Sequence, residues 1–381
     1  MQSRALTPAP RDTVEGVATR VTLQTIADRV GVSRMTVSNA FSRPDQLSPA
    51  LRRRILDAAT ELGYAGPDPA ARVLARGRAG AVGVLLTDSL RYAFSDENAT
   101  GFLGAIADEL APTGLALTLL TTPQRQDVIP ARDVPLDGAL VYSCDVDSPG
   151  TDWLRRRKVP LVLVDQEPDG ETPSVNIDDR AGARAAAQHL VDLGHRRFGI
   201  LNSSSVGPAG LLADPRAARS GYVSRRRLLG WLDVLDAAGI TPTVVQERSY
   251  AAAEQEIGAR LLLDQDPVPT AILAFSDAVA DSVVRVARER GLRVPDDLSV
   301  VGFDDSPLAR RMTPPLTTVR QDVDAKGRAA AAALTVQIAR ANAASTGGEM
   351  PERPKDLLLP VELVVRESTA PPRPDREASR A

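Results

Sequence analysis

Cysteine and histidine are nearly absent from this chain, and each scarcity removes a class of chemistry. Cys144 is the single cysteine among 381 residues. No disulfide can form within the chain, and a reducing cytoplasm is the expected compartment. Histidine occurs twice, as His189 and His195; six residues apart near the end of one helix, they match no metal-ligand spacing. His195 follows Gly194 at that helix end, where an imidazole complements the helix dipole, so its expected role is structural. No run of about 18 apolar residues exists, which removes a membrane-spanning helix. The opening stretch MQSRALTPAPRDTVEGVATR lacks the apolar core of a secretory signal. The motifs G-x-S-x-G, G-x-x-x-x-G-K and G-x-G-x-x-G are missing too. Adjacent Asp304 and Asp305 would point to opposite sides of a strand, which is useless for acid/base work. Catalysis, a metal and a cofactor are therefore not expected.

What is present is an ordinary globular composition, 43% hydrophobic and 25% charged, with ample material for a core. The length suggests two or three domains. The net charge of −3 is unevenly divided. Residues 21–78 hold nine arginines against five carboxylates, a net +4, which leaves −7 for the remainder. A basic head on an acidic body fits a phosphate-binding module joined to a domain with another task.

The basic head has a readable pattern over residues 21–64. Leu23, Ile26, Ala27 and Val30 recur at helical spacing and stop at Gly31; Ser33 then caps a second short set, Val37, Ala40 and Phe41. A third helix starts after Ser48, with Pro49 at its first position and Ile55, Ala58, Ala59 and Leu62 as one buried stripe. With Val37, Ala40 and Phe41 turned inward, Arg34, Met35, Ser38 and Asn39 must face outward. Arg and Asn pair with guanine and adenine edges in the major groove, and the first residues of a second helix are the ones that reach them.

The run V-T-L-x-x-I-A-x-x-V-G-V-S-x-x-T-V-S-x-A-F, followed by S-P-x-L-R-x-x-I-L-x-A-A-x-E-L-G-Y, closely resembles the DNA-binding headpiece of the lactose/galactose repressor (LacI/GalR) family. The match holds at many fixed positions across all three helices. The resemblance implies DNA contacts by Thr22, Leu23, Ser33, Arg34, Met35, Thr36, Ser38 and Asn39. It also implies that residues 67–79 form a hinge helix and linker. There A-A-R-x-L, residues 70–74, matches the family's minor-groove segment, with Arg72 in contact with DNA and Leu74 as the wedge between base pairs.

From residue 81 onward, short β-rich runs alternate with amphipathic helical stretches, the pattern of parallel sheets covered by helices. Strands are expected near 82–86, 115–120, 138–141, 161–164, 198–201, 271–275 and 299–303. Helices are expected near 97–110, 179–193, 224–238, 251–263, 277–290 and 324–341. The composition of 202–222 suggests a mobile loop, and LLLPVELVVREST a last strand. The runs V-P-D-D-L-S-V-V-G-F-D-D and P-P-L-T-T-V-R-Q-D extend the resemblance to the family's effector domain. That implies two doubly wound lobes, similar to periplasmic sugar-binding proteins, joined by three crossings with a ligand cleft between them.

Ligands of open parallel sheets bind beyond the carboxyl ends of the strands. Asp88, Tyr92 and Phe94 follow the first strand, while Asp165, Ser276 and Asp304 each follow a later one; Arg227 opens a helix with Trp231 one turn on. By resemblance, Arg227 and Asp304 are paired hydrogen-bonding residues, Asp165 is an acidic pocket residue, and Ser276 takes a place often held by Asn. Carboxylates, an arginine and an aromatic platform suit a sugar-like or nucleoside-like ligand.

The expected organisation is an α/β chain with a helix-turn-helix headpiece over 21–66, a hinge over 67–79 and a two-lobed effector domain over 80–370. Residues 1–20 and 371–381 read as disordered tails. The expected protein is a cytoplasmic, ligand-responsive transcription regulator: a homodimeric repressor, without cofactor, on a pseudo-palindromic operator. The alternative is a transporter's solute-binding protein, against which the headpiece and the missing leader both count.

Overall fold

The computed structural model describes residues 21–66, 68, 73, 77–86, 93–94, 96–121, 129–143, 148–248 and 252–373. The chain divides between Arg78 and Ala79 into two compact units. The hinge residues Ala70, Ala71, Arg72 and Leu74, and the cleft candidates Asp88 and Tyr92, lie outside the described residues.

The first unit is built from three helices, α1 (Leu23–Val30), α2 (Arg34–Ser42) and α3 (Pro49–Glu61). Each begins at a side chain that satisfies an orphan backbone N–H. Thr22 and Thr25 cap one another reciprocally, the Ser33 hydroxyl accepts from the Thr36 amide at 3.0 Å, and the Ser48 hydroxyl from the Leu51 amide at 3.3 Å. Helix α1 ends because Gly31, at φ 76°, takes the left-handed conformation that closes its last turn. Ile26, Ala27, Val37, Ala40, Ile55, Ala58 and Ala59 form a buried core, with Phe41 set edge-on to Tyr64 at 5.7 Å. Two α3 arginines act inside the unit: Arg54 donates to the Val30 carbonyl and Arg52 to the Ala40 carbonyl, each at 3.3 Å.

The second unit contains two sheets. In the first lie β1 (Ala81–Leu86), β2 (Ala116–Thr121), β3 (Gly138–Tyr142), β4 (Leu161–Val164), β5 (Ser174–Ile177) and β12 (Leu357–Leu359). All are parallel, in the order β12-β5-β4-β3-β1-β2. In the second lie β6 (Phe198–Ser203), β7 (Gly210–Leu211), β8 (Thr243–Glu247), β9 (Ala271–Ala274), β10 (Ser299–Asp304), β11 (Thr317–Gln321) and β13 (Val361–Val364). Their order is β13-β11-β10-β9-β6-β8-β7, with only the edge strands β13 and β7 antiparallel.

Helices cover both faces of each sheet, which is why the central strands read as continuous apolar runs. On the first sheet, α4 (Glu97–Leu110) and α12 (Val323–Thr346) bury Phe102, Ile106, Ala330 and Leu334 against Val82, Val84, Leu140 and Val162. The opposite face takes α5 (Pro130–Asp133) and α6 (Pro149–Arg156). On the second sheet, α7 (Asp179–Asp192) and α8 (Tyr222–Ala237) cover one face, and α9 (Ala252–Leu263), α10 (Asp277–Glu289) and the short α11 (Pro307–Arg311) the other. Each fully buried Leu, Ile or Phe in these layers contributes on the order of 2 kcal/mol.

The chain passes between the sheets three times, at Asp178, Asp322 and Pro360. Both aspartates are also helix caps: Asp178 accepts from the Ala181 amide at 3.1 Å and Asp322 from the Ala325 amide at 2.8 Å. The Asp178 amide donates to the Leu359 carbonyl at 2.9 Å, joining the first crossing to the third.

The stretch 202–222 is largely irregular, as expected, but it is tied to the second sheet. Asn202 and Ser203 complete β6, Gly210 and Leu211 pair with β8, and the Gln246 amide donates to the carbonyls of Val206, Pro208 and Arg219. Its Ser, Gly and Pro content makes turns, and a buried side chain from β8 satisfies their carbonyls.

Candidate nucleic-acid interface and ligand cleft

In the headpiece, Arg34 and Met35 are exposed, Met35 at 68%, while Thr36, Ser38 and Asn39 are half-buried on the same helix. This follows from the burial of Val37 and Ala40, since residues three or four apart share a face. The Asn39 amide is not free: it donates to the Gln46 side chain at 3.2 Å, which ties the outer face of α2 to the following loop. Gln46 was not anticipated, because a seven-residue separation across a turn leaves no periodic trace. Thr22 and Ser33 act as caps, and Leu23 is half-buried beside the core. A cap side chain at a helix N-terminus leaves further amides facing outward, the geometry that receives a phosphate.

In the second unit the anticipated Asp165, Arg227 and Asp304 come together where the chain crosses between sheets. The strand ends that carry the acids are conformationally unusual: Asp165 has φ 54° and Asp304 φ 116°, backbone geometry that costs on the order of 1–3 kcal/mol each and is sustained only where the surroundings demand it. Arg227 is buried. Its Nε donates to Asp179 Oδ1 at 2.8 Å, one Nη to the Phe275 carbonyl at 2.5 Å, and the other Nη reaches Asp304 Oδ1 at 3.5 Å. The guanidinium lies 3.6 Å above the Phe303 ring and 4.8 Å from that of Phe275. Asp304 Oδ1 also accepts from the Gln321 amide at 2.7 Å.

Arg227 and Lys326 are the cations of this cluster, and at Asp96, Asp179 and Asp304 burial outweighs their pull. Burial pushes Asp304 up to about 8 against the pull of Arg227, and pushes Asp179 up to about 6, again opposed by Arg227. Burial likewise raises Asp96, the cap of α4, although backbone amides, Lys326 and Arg227 pull the other way. For Arg227 burial acts downward, but Asp179 and Asp304 outweigh it and raise the guanidinium above its ordinary value. Asp165 Oδ1 and Asp179 Oδ2 are buried without a hydrogen-bond partner. Such acceptors call for a donor from outside the chain.

Three anticipated residues are placed differently. Trp231 is 1% exposed and packs with Ala183, Leu228 and Leu235 in the core beneath α7 and α8. The aromatic partners of Arg227 are Phe303 and Phe275 instead, because one turn along α8 points Trp231 toward its neighbouring helix. Phe94 is 61% exposed and is not brought to the cluster. Ser276 caps α10 by accepting from the Val279 amide at 3.3 Å. Sequence reasoning missed Asp179, Gln321 and Lys326. A trace existed for Gln321, which ends the P-P-L-T-T-V-R-Q-D run, but an isolated polar residue at a strand end gives no partner. Among the described residues, no group of His, Cys, Asp and Glu is placed to hold a metal ion, and no helix is long and apolar enough to cross a membrane.

Comparison with known proteins agrees with both units. The model for bacterial regulatory proteins of the lacI family matches residues 22–66, and that for the periplasmic binding protein-like domain matches residues 187–369. An HTH-type transcriptional regulator of Mycolicibacterium smegmatis is 39% identical over 328 residues, 82% of this chain and 89% of that one. A solved complex of the transcriptional regulator CelR with cellobiose superposes with a TM-score of 0.65 at 30% identity, covering 92% of this chain and 100% of that chain. The lac repressor dimer bound to operator and the anti-inducer ONPF gives 0.71 at 27%, covering 92% and 99%.

Proposed function

The chain belongs to the lacI family of bacterial regulatory proteins and is a DNA-binding transcriptional regulator, not an enzyme; on that premise we propose that it is a repressor whose operator affinity is set by a neutral, hydroxyl-rich effector. In this reading two copies place their α2 helices in successive major grooves of a pseudo-palindromic operator, with Arg34, Met35, Ser38 and Asn39 at the base edges and Thr22, Leu23, Ser33 and Thr36 at the backbone. The effector enters the cleft at Asp165, Arg227 and Asp304. A ligand that prefers one placement of the two sheets must shift DNA affinity if the placements bind DNA differently.

The observation that carries the effector class is the pair of unpartnered buried acceptors, Asp165 Oδ1 and Asp179 Oδ2, on carboxyls whose second oxygens already accept from Lys326 and Arg227. A ligand there must bring hydrogen-bond donors and no negative charge. Sugars and nucleosides qualify; their phosphates do not. The cellobiose in the CelR complex supports the sugar side of this reading.

Thermal-shift measurements with cellobiose, adenosine and glucose 6-phosphate test it. A fitting neutral ligand at 100 times its dissociation constant stabilises by about 2.7 kcal/mol, and Arg227→Ala or Asp304→Ala should abolish that shift while ligand-free operator binding persists. Stabilisation by glucose 6-phosphate alone would overturn the effector class.

A further inference from the structure

Lys326 lies in the first turn of α12, immediately past the Asp322 crossing, and is 1% exposed. It is one of three lysines in a chain whose Lys and Arg together number 46. A compact ammonium where arginine is otherwise the rule suggests a site that needs a point charge in place of a fork. Its Nζ donates to Asp165 Oδ2 at 2.7 Å, at the end of β4 in the first sheet, and to Gln321 Oε1 at 2.8 Å, at the end of β11 in the second. The rings of Phe102 and Tyr142, stacked at 4.4 Å, lie 5.6 and 5.7 Å from it.

One continuous buried chain results: Asp165, Lys326, Gln321, Asp304, Arg227, Asp179. Its middle member has a forced orientation. The Gln321 oxygen faces the ammonium and its nitrogen faces the Asp304 carboxyl; a flipped amide would set N–H groups against the cation. Desolvating an ammonium is costly, and apolar side chains of similar volume commonly stabilise as well or better, so stability alone is a poor account of this lysine.

We propose that Lys326 is the positioning residue of the cleft: its ammonium ties the Asp165 carboxylate of one sheet to the Gln321 amide of the other. The free Oδ1 of Asp165 then presents a fixed acceptor only while the two sheets keep their relative placement, so ligand binding and sheet placement become one equilibrium. The role assigned to the ligand rests on the effector reading above, whereas the tie itself can be tested with no ligand present.

Hydrogen exchange on the ligand-free full chain provides the test. The Leu308 amide reports on the tie because it crosses between the halves, donating to Glu97 Oε2 at 2.9 Å, with Arg311 holding the other Glu97 oxygen at 2.5 Å. Leu273, inside β9, is the control within one half. Lys326→Met should speed exchange in the peptide carrying Leu308 by about tenfold, the loss of one charge-assisted hydrogen bond, and leave the Leu273 peptide unchanged. Asp165→Asn combined with Lys326→Met should be as fast at Leu308 as the single variant, since the tie is absent in both. Recovery of protection in the double variant would mean that Lys326 only neutralises a buried carboxylate. Wild-type exchange at Leu308 in Lys326→Met, or equal acceleration at Leu273, would also overturn the proposal. A ligand screen that finds nothing would overturn the effector reading and leave this result standing.

Discussion

Replacing Arg227 by Met removes the charge and keeps most of the volume, which isolates what the guanidinium does for the carboxyls around it. Asp179 loses its 2.8 Å partner and stays buried. Breaking one side of a buried ion pair costs about 3–5 kcal/mol. The second unit runs from residue 79 to 381, 303 residues, and at roughly 2.1 cal/mol/K per residue its unfolding entropy is about 0.6 kcal/mol/K. The Tm of that unit should therefore fall by about 5–8 °C. The loss should also depend on pH with a definite sign. Burial already holds the Asp179 carboxyl up at about 6 with Arg227 opposing, and removal of Arg227 raises it further. A folded pKa above the unfolded value means that the stability is fully present below about pH 4 and is lost as pH rises through the folded pKa. Calorimetry at pH 5, 6.5 and 8 should show the gap to wild type widening across the series. Below about pH 8, Arg227→Met combined with Asp179→Asn should recover most of the loss, because Asp179 no longer carries a charge and Asp304, which burial raises to about 8 even with Arg227 opposing, stays protonated. A gap constant with pH, or a double variant as unstable as the single one, would refute this account of Arg227.

Three further measurements bear on the headpiece, the hinge segment and the cleft. Arg34→Ala or Asn39→Ala should each weaken binding to the specific operator by about 1–3 kcal/mol and barely change binding to random DNA; competition titrations decide it, and equal loss on both DNAs would rule out base reading by that residue. If Leu74 is the minor-groove wedge that the family resemblance implies, Leu74→Ala should reduce operator bending and affinity while non-specific binding persists, since the unstacking cost would no longer be offset. Fluorescence transfer across the operator measures the bend, and a wild-type bend would make that segment a tether. Asp304→Asn keeps a side chain that tolerates positive φ and removes a carboxyl that burial holds up near 8. Wild type should lose stability relative to this variant as pH rises from about 5 to 8, and parallel Tm curves would show that Asp304 does not titrate there.

Much of the fold was legible because its signals are local. Caps at Ser33 and Ser48, the stop at Gly31 and the inward stripe of each helix involve residues one turn apart; α2 and α3 start, and α1 ends, where those signals stand. The apolar strands β1, β3, β4, β9 and β10 were visible as short hydrophobic runs for the same reason. By contrast β5, β8 and β11, with sequences SVNI, TVVQE and TTVRQ, bury polar residues, Asn176, Gln246, Thr317, Thr318 and Gln321 among them. Their burial depends on neighbours that the local pattern does not contain.

The cleft divides along the same line. Position after an apolar run marked Asp165 and Asp304, and position at a helix start marked Arg227, so the sequence by itself determined which side chains stand at the carboxyl ends of the strands. Which of them meet was decided by strand order and by the three crossings. Arg227 pairs with Asp179, 48 residues away, and Lys326 with Asp165, 161 residues away. The same tertiary packing turned Trp231 into the core and put Phe303 under the guanidinium. Caps and stripes are settled within one helical turn, whereas a buried charge needs a partner of opposite sign within about 3 Å, and only the folded path of the chain brings that partner within reach.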